Sequence, residues 1–393
     1  MFLELVRQNC ELKIFCWAFV RFCVCAPVVP HHTHIIRYFS GWVGWWALPT
    51  LNRGEYYAPR YLAEAAVGMT QMKAKLIINP EAGKMKRTLP PILKLTFTLF
   101  KTRLKGMFTP RANVEDIIEA VTEECERANI KLDIEFTKYP KHAIKIAKDA
   151  KIKYDLLIVA GGDGTVNEVI NGIANSKTTL AIIPFGTSNV LALELGIPSN
   201  TKEAVELITK GKKTKIDLGL AEIRGGSRFY SIVLTVGFDA VLMKDATSEF
   251  RNRWGIFAEP IMGINLITCR WQKIRIEHTT NSIGYFVMIA NSKFIGGGYQ
   301  IANAASTKDG VLDLVIINRK WWKVLPLLLS ASIGKGNKFQ QNEYYQIKGA
   351  CVYGMPDLLV QVDGEIIGTT PVKVTIVPKA LNVIAKKVWQ TEG

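Results

Sequence analysis

The chain has 393 residues, with 50 Lys and Arg against 34 Asp and Glu, a formal net charge of +16, and 48% hydrophobic and 21% charged residues. Such a composition excludes a disordered chain and suits two globular domains, each able to bury its own core. The positive balance favours anionic partners, whether nucleic acid, a membrane surface or phosphorylated metabolites.

Residues 1–72 read as an atypical N-terminal extension. The first 68 are rich in Trp, Cys and Phe, and their periodicity is poor. The apolar stretch Ile14–Pro30 is interrupted by Arg21, which makes a weak transmembrane pattern, and it lacks a small-residue cleavage site. Cys23 and Cys25 precede His31, His32 and His34 at a spacing that fits no standard zinc pattern. The cysteines total seven, an odd number with no disulfide framework, and Cys125, Cys269 and Cys351 stand alone. That pattern indicates free thiols and a reducing compartment. The recognisable pattern begins just after Met69 and Met72. The leading expectation is therefore that 1–68 is an over-extended start. The second is a membrane-contacting extension, since aromatics and arginines suit an interface.

From Lys73 to about Lys212 strand and helix patterns alternate. Leu76–Ile78 reads as a strand, and Val114, Ile117, Ile118 and Val121 mark a helix face. Leu132, Ile134 and Phe136 alternate as a strand, and Ile144 and Ala147 suit the helix after it. A strand from Leu156, a helix through Val166, a strand Leu180–Ile183 and a helix through Leu195 follow. The expected fold is an α/β domain with a mainly parallel sheet, over 73–212. Its ligands should bind at the carboxyl ends of the strands. Asn79, Thr137, Gly161 and Gly186 all fall at or just after such ends.

The segment Leu156–Glu168, LLIVAGGDGTVNE, carries the most chemistry. A short apolar run suits a strand buried on both faces. Gly161, Gly162 and Gly164 permit a tight turn and close backbone approach to a ligand. Val166, Val169, Ile170 and Ile173 then form one face of a helix whose N-terminus offers free N–H groups. A P-loop would need G-x-x-x-x-G-K-[ST], which no segment supplies, and a Rossmann fingerprint would need Gly where Asn167 stands. Asp163 in the turn would repel phosphate unless a cation intervenes, which points to phosphate with Mg²⁺. The bland alternative is a tight strand-to-helix turn with no ligand.

Beyond about Thr214 the character changes. Tyr230–Val236, Tyr285–Ala290, Leu312–Ile317 and Leu358–Val362 are β-rich runs separated by turns, so a second, mainly antiparallel β domain is expected over 213–377. A cleft between the domains is the natural ligand site. Trp254–Trp271 is apolar and aromatic with arginines at its ends, and reads as a core helix or covering loop, or as a lipid-contacting lid. Trp321 and Trp322, among Arg319, Lys320 and Lys323, suit either a bilayer interface or packing on the sandwich.

Gly161–Val169, GGDGTVNEV, resembles the signature of the diacylglycerol kinase catalytic-domain family, which includes bacterial lipid kinases and sphingosine kinases and is distantly related to NAD kinases. The resemblance runs from about Lys73 to Lys387. Asn79-Pro80 with Gly83-Lys84 resembles the family's first nucleotide-contacting loop, and Phe136-Thr137 before Lys141-His142-Ala143 the next. Pro184–Asn189 resembles its P-x-G-T-x-N turn. Gly296–Gly298 and Asp309–Asp313 resemble its metal-site region, and Val362–Glu365 its catalytic-base motif. Two departures stand out: Val190 replaces a frequent Asp after P-x-G-T-x-N, and Asn303 replaces a frequent Pro.

The resemblance implies a two-layer β-sandwich, with 378–393 returning to the first domain. It implies an ATP- and Mg²⁺-dependent transfer of the γ-phosphoryl group to a lipid hydroxyl. Asn79, Pro80, Gly83, Thr137, Gly161, Gly162, Asp163, Gly164, Thr165, Asn167, Glu168, Thr187 and Asn189 would then line the nucleotide site, with Asp163 acting through Mg²⁺. Glu365 would be the general base, presented by the Asp363-Gly364 turn. A structural Mg²⁺ would sit on the Asp309 carboxylate and the backbone carbonyls of Ser306 and Val311. Both Asp-Gly pairs are also ordinary turn formers. An NAD kinase-like enzyme acting on a soluble nucleotide and a non-catalytic lipid or nucleotide binder are the competing readings. The expected partners are ATP, a lipid alcohol and an anionic membrane surface, with no nucleic acid; a homodimer is compatible. The expected location is cytoplasmic and peripheral to the membrane. Asp239 is a candidate for approaching a lipid head group.

Overall fold

The computed structural model describes residues 71–82, 113–237, 272–295, 299–300, 302–318 and 343–386. The extension, Gly83, Lys84, Asp239, Trp254–Trp271, Gly296–Gly298, Trp321 and Trp322 lie outside them.

The N-terminal half alternates as its pattern predicts. Strand β1 (Lys73–Ile78) is followed by helix α1 (Val114–Arg127), β2 (Lys131–Phe136), α2 (His142–Ala150) and β3 (Leu156–Gly161). Next come α3 (Asp163–Ile173), β4 (Thr179–Pro184), the short α4 (Val190–Glu194) and α5 (Thr201–Lys210). The four strands are parallel in the order β2-β1-β3-β4. All six residues of β3 and all six of β4 are buried, as strands covered on both faces should be. One face packs Leu157 and Val159 against Ala143, Ile146, Val169 and Ile173. The other packs Leu156 and Ile158 against Ile117, Val121 and Val205. The periodic apolar face read for α3 is buried throughout, with Val169, Ile170 and Ile173 fully covered. The helix expected through Leu195 is the short Val190–Glu194 with Leu195 as its C-cap: Asn189 at φ 48 sets its start, and Gly196 at φ 66 turns the chain just after it.

The second half is β-rich and mainly antiparallel: β5 (Lys212–Ile223), β6 (Gly226–Tyr230), β7 (Val233–Val236), β8 (Ile274–Glu277), β9 (Asn281–Gly284) and β10 (Phe286–Ala290). The small pair β11 (Phe294–Ile295) and β12 (Tyr299–Gln300) follows, then β13 (Leu312–Ile317), β14 (Glu343–Ile347), β15 (Gly349–Gly354), β16 (Leu359–Val362), β17 (Glu365–Thr369) and β18 (Val372–Ala385). One layer has the order β14-β13-β10-β7-β16-β17. The other is formed by β9, β8, β15, the first half of β18, β5 and β6. Tyr230, Leu234, Val287, Leu314, Val352 and Val374 fill the space between the layers. This is an α/β domain with a parallel sheet joined to an antiparallel β-sandwich.

The joint has a specific construction. β18 pairs with β5 along its length, from Lys373↔Glu222 to Ala385↔Lys212, with an irregularity between Val377 and Leu381. Beyond it, Asn382 and Val383 add in parallel to β4, so one sheet runs through both domains. Asp217 pins the irregularity, its carboxylate accepting from the backbone N–H groups of Lys379 and Gly310 at 2.6 and 2.8 Å. The chain's end therefore fixes the orientation of the sandwich against the parallel sheet. Among the described residues Cys125 and Cys351 are free thiols, and no helix is long and apolar enough to cross a membrane.

Candidate active site

From β1 the chain goes to β2 on one side, while β3 and β4 build on the other. The switch point lies between β1 and β3, where the carboxyl ends of parallel strands leave an open crevice. Asn79 follows β1 and the glycine turn follows β3 at this place. Asn79 Nδ2 donates to Thr165 Oγ1 at 2.9 Å across the crevice, and its Oδ1 accepts from Glu81 N at 3.0 Å. Pro80 is half-buried beside it.

Helix α3 begins at Asp163, with Gly162 as its cap residue, so the first N–H groups have no intrahelical partner. Above Gly164 the space is open: a Cβ there would meet no atom within 4 Å. Gly162 and Gly186 behave oppositely. A Cβ on Gly186 would stand 2.3 Å from Gly162 Cα and 2.7 Å from Asn189 Oδ1. Asn189 closes its own turn, accepting from Gly186 N at 2.8 Å and donating to Gly186 O at 2.9 Å. The two glycine loops thus form one interlocked floor, with Thr187 exposed at its rim. Gly186→Ala should cost about 2 kcal/mol or more through overpacking against backbone that cannot yield. An unchanged urea midpoint would show that the loops part easily.

Asp163 ties the floor together. Its Oδ1 accepts from Val190 N at 2.7 Å. Burial is the main cause that pushes its carboxyl up to about 6; the Val190 N–H opposes this and the Asp363 charge adds to it. The side chain therefore holds the start of α4 as well as facing the crevice. A carboxyl raised from 3.8 contributes stability that is complete below that pH and is lost as pH rises through about 6. Wild-type stability should accordingly fall relative to Asp163→Asn between about pH 4 and pH 6, on the order of 2 kcal/mol. Denaturant titrations at both ends of that window check it; a constant difference would overturn it.

Asn167 and Glu168 lie one turn into α3 and bind protein. Asn167 is buried and donates to Phe229 O at 3.1 Å and Asp363 Oδ2 at 2.8 Å. Glu168 accepts from Lys141 N at 2.9 Å and Ala143 N at 3.1 Å, capping the start of α2. Thr137 follows β2 and its backbone N–H bonds to Ile78 O at 2.8 Å. The residues read as one nucleotide-site set thus divide. Asn79, Gly162, Asp163, Gly164, Thr165 and Asn189 surround the crevice floor, while Asn167 and Glu168 fasten that floor to neighbouring elements.

Asp363 is the hub on the sandwich side. Asp363 and Gly364 have φ 46 and 90 and join β16 to β17 in a two-residue hairpin, with Val362 opposite Glu365. The Asp363 carboxylate accepts from Ser231 N, Ser231 Oγ, Ile232 N, Val233 N and Asn167 Nδ2, all between 2.8 and 3.1 Å. Burial raises its carboxyl against the pull of these donors. Glu365, just past Gly364, is partly exposed. Its Oε2 lies 2.6 Å from Arg228 Nη2 and its Oε1 3.6 Å from Lys141 Nζ. Arg228 escapes sequence reasoning because no spacing marks it; only the pairing Ala221↔Arg228 in β5–β6 brings it under the hairpin.

The 306–311 turn lies apart from this crevice, packed near Asp217. Asp309 Oδ1 accepts from Val311 N at 3.1 Å. Burial raises the Asp309 carboxyl, and the Asp217 charge adds to it. Asp313 bonds Tyr344 through Oδ1, while its buried Oδ2 has no partner among the described residues. Its carboxyl is pushed up to about 6, chiefly by burial, with the Asp309 charge contributing. Crowded acids and an orphaned carboxylate oxygen are what a hard cation would relieve, although among the described residues no group of three or more His, Cys, Asp or Glu side chains is gathered as a metal site.

Residues 108–221 match the model of the diacylglycerol kinase catalytic domain, and 234–385 that of the YegS C-terminal NAD kinase beta sandwich-like domain. The diacylglycerol kinase of Staphylococcus saprophyticus is 29% identical over 310 residues, 76% of this chain and 90% of its own. That of Staphylococcus aureus is 29% identical over 324 residues, 80% of this chain and 92% of its own. A crystal structure of a diacylglycerol kinase from Bacillus anthracis superposes with a TM-score of 0.60 at 23% identity, covering 80% of this chain and 97% of that one, which speaks for the fold alone. With the glycine floor, the Asp363 hub and both domain matches in order, the chain carries a diacylglycerol kinase catalytic domain followed by a YegS-type C-terminal sandwich domain.

Proposed function

We propose that this kinase-family chain transfers the γ-phosphoryl group of ATP to the hydroxyl of a lipid alcohol. The observation that carries the reading is the Asn167–Asp363 bond of 2.8 Å. It couples the helix whose N-terminus faces the open crevice to the hairpin that presents Glu365. A phosphate-receptive helix start and a carboxylate are thereby held in one frame, as transfer to a hydroxyl requires.

In this reading the 73–212 domain with its 378–393 return takes ATP, and 213–377 takes the acceptor. The free N–H groups at the start of α3 hold the phosphates above Gly164, and Asn79 and Thr165 fix the far wall. Glu365 accepts the acceptor's proton at Oε1, because Oε2 is already engaged by Arg228. The new P–O bond forms as the bond to the ADP oxygen breaks. Mg²⁺, when bound, supplies charge neutralisation for the phosphates near Asp163, and a second ion would order the turn through Asp309, Ser306 and Val311. The +16 charge supports peripheral contact with an anionic membrane.

The test is Mg·ATP turnover against vesicles of diacylglycerol, monoacylglycerol, a sphingoid base, phosphatidylglycerol and a polyprenol, with NAD as a soluble arm. Mass detection of one phosphorylated lipid is the expected result. The description of the sandwich model as NAD kinase-like gives the NAD arm its place: product there alone would move the acceptor class to nucleotides. No product in any arm would leave a binder.

A further inference from the structure

Glu365 is one of the few site carboxylates whose partners are side-chain cations, and the two cations differ. Lys141 has a side chain 69% exposed and stands 3.6 Å away. Arg228 has a side chain only 12% exposed and makes a 2.6 Å contact. A contact that short between a guanidinium and a carboxylate is charge-assisted and directional. Exposed pairs contribute little, whereas a largely dehydrated one is costly to break from one side.

The chain just after Arg228 is anchored twice. Phe229 exchanges bonds with Asn171, its N–H donating at 2.8 Å and its carbonyl accepting at 2.9 Å. Ser231 donates twice to Asp363. Arg228 thus projects from backbone tied both to the α3 helix and to the hairpin that carries Glu365. Its Nε is buried without a partner among the described residues, so the Glu365 carboxylate is the described acceptor that compensates the guanidinium.

We infer that Arg228 is a positioning residue for Glu365. It pins Oε2 and leaves Oε1 directed to the acceptor hydroxyl. The inference rests on the reading of Glu365 as proton acceptor. Lys141, at 3.6 Å and solvated, is the weaker contact.

The experiment measures turnover of diacylglycerol in phosphatidylglycerol vesicles with Mg·ATP, together with thermal unfolding. Arg228→Gln should lower kcat at least tenfold while the KM for ATP stays within twofold. Added to Glu365→Gln, Arg228→Gln should change the residual rate less than twofold, because a residue acting through another loses its effect once that residue is gone. An equal loss in both backgrounds would overturn the inference, as would unchanged kcat in Arg228→Gln. If Arg228→Gln does not fold, Arg228→Lys decides: its ammonium lacks the planar fork, so kcat should fall at least fivefold at constant KM for ATP. A full rate there would overturn the inference. Full turnover in Glu365→Gln alone, or none by the wild type, would instead remove the reading beneath it.

Discussion

Glu365→Gln should lower lipid turnover roughly 10²–10⁴-fold while ATP affinity changes little, the scale expected when a positioned general base is lost. Gln keeps the shape of the side chain and still offers Arg228 an oxygen, so the hairpin should persist. The Arg228 guanidinium would lose its counter-charge, and a small drop in melting temperature is expected with it. Lipid phosphorylation and nucleotide binding, measured in parallel, separate chemistry from architecture. A joint collapse of ATP affinity and stability would make Glu365 a strut of the turn. A rate and affinity both unchanged would send the search for the base to another crevice carboxylate.

Local signals made much of this arrangement legible. The period-3.6 face of α3 and the unbroken apolar runs of β3 and β4 report burial directly, since a strand covered on both faces has no polar side to show. The β-rich runs located Leu312–Ile317 without error. The run Tyr230–Val236 was less transparent. It breaks at Ser231 and Ile232 because their N–H groups turn away from the strand ladder to the Asp363 carboxylate, 132 and 131 residues distant in sequence. No window of sequence contains both partners.

The same limit explains the polar residues around the crevice. A short motif names Asn167 and Glu168 together with Asp163, but its spacing does not distinguish a side chain that meets a ligand from one that meets protein. Glu168 caps α2, and Asn167 reaches Phe229 and Asp363. Val190 lacks the acid common after P-x-G-T-x-N, yet its backbone N–H still takes part by donating to Asp163. A backbone contribution of this kind is independent of the residue's identity and leaves no trace in the sequence.

Asp363→Ala should have the largest effect on folding. The carboxylate accepts from three successive backbone N–H groups, a hydroxyl and the Asn167 amide. Removing it strands these donors in a buried place, where each unmet donor carries a desolvation penalty of about 1–3 kcal/mol. Ala is also strained at φ 46, by about 1–2 kcal/mol. Even with relaxation and water entry, a loss on the order of 4 kcal/mol is expected, a large share of the roughly 5–15 kcal/mol of a typical domain. Turnover should fall with it, since the start of β7, Asn167 and the Glu365 hairpin all depend on the same two oxygens. Asp363→Asn tests the charge separately. It tolerates positive φ, but its amide would place a donor against donors, so it should recover part of the backbone strain and little of the remainder. Urea unfolding of both variants checks this. A loss under about 1 kcal/mol for Asp363→Ala would mean that the donors find water or other acceptors, and that α3 and the sandwich are coupled through contacts other than Asp363.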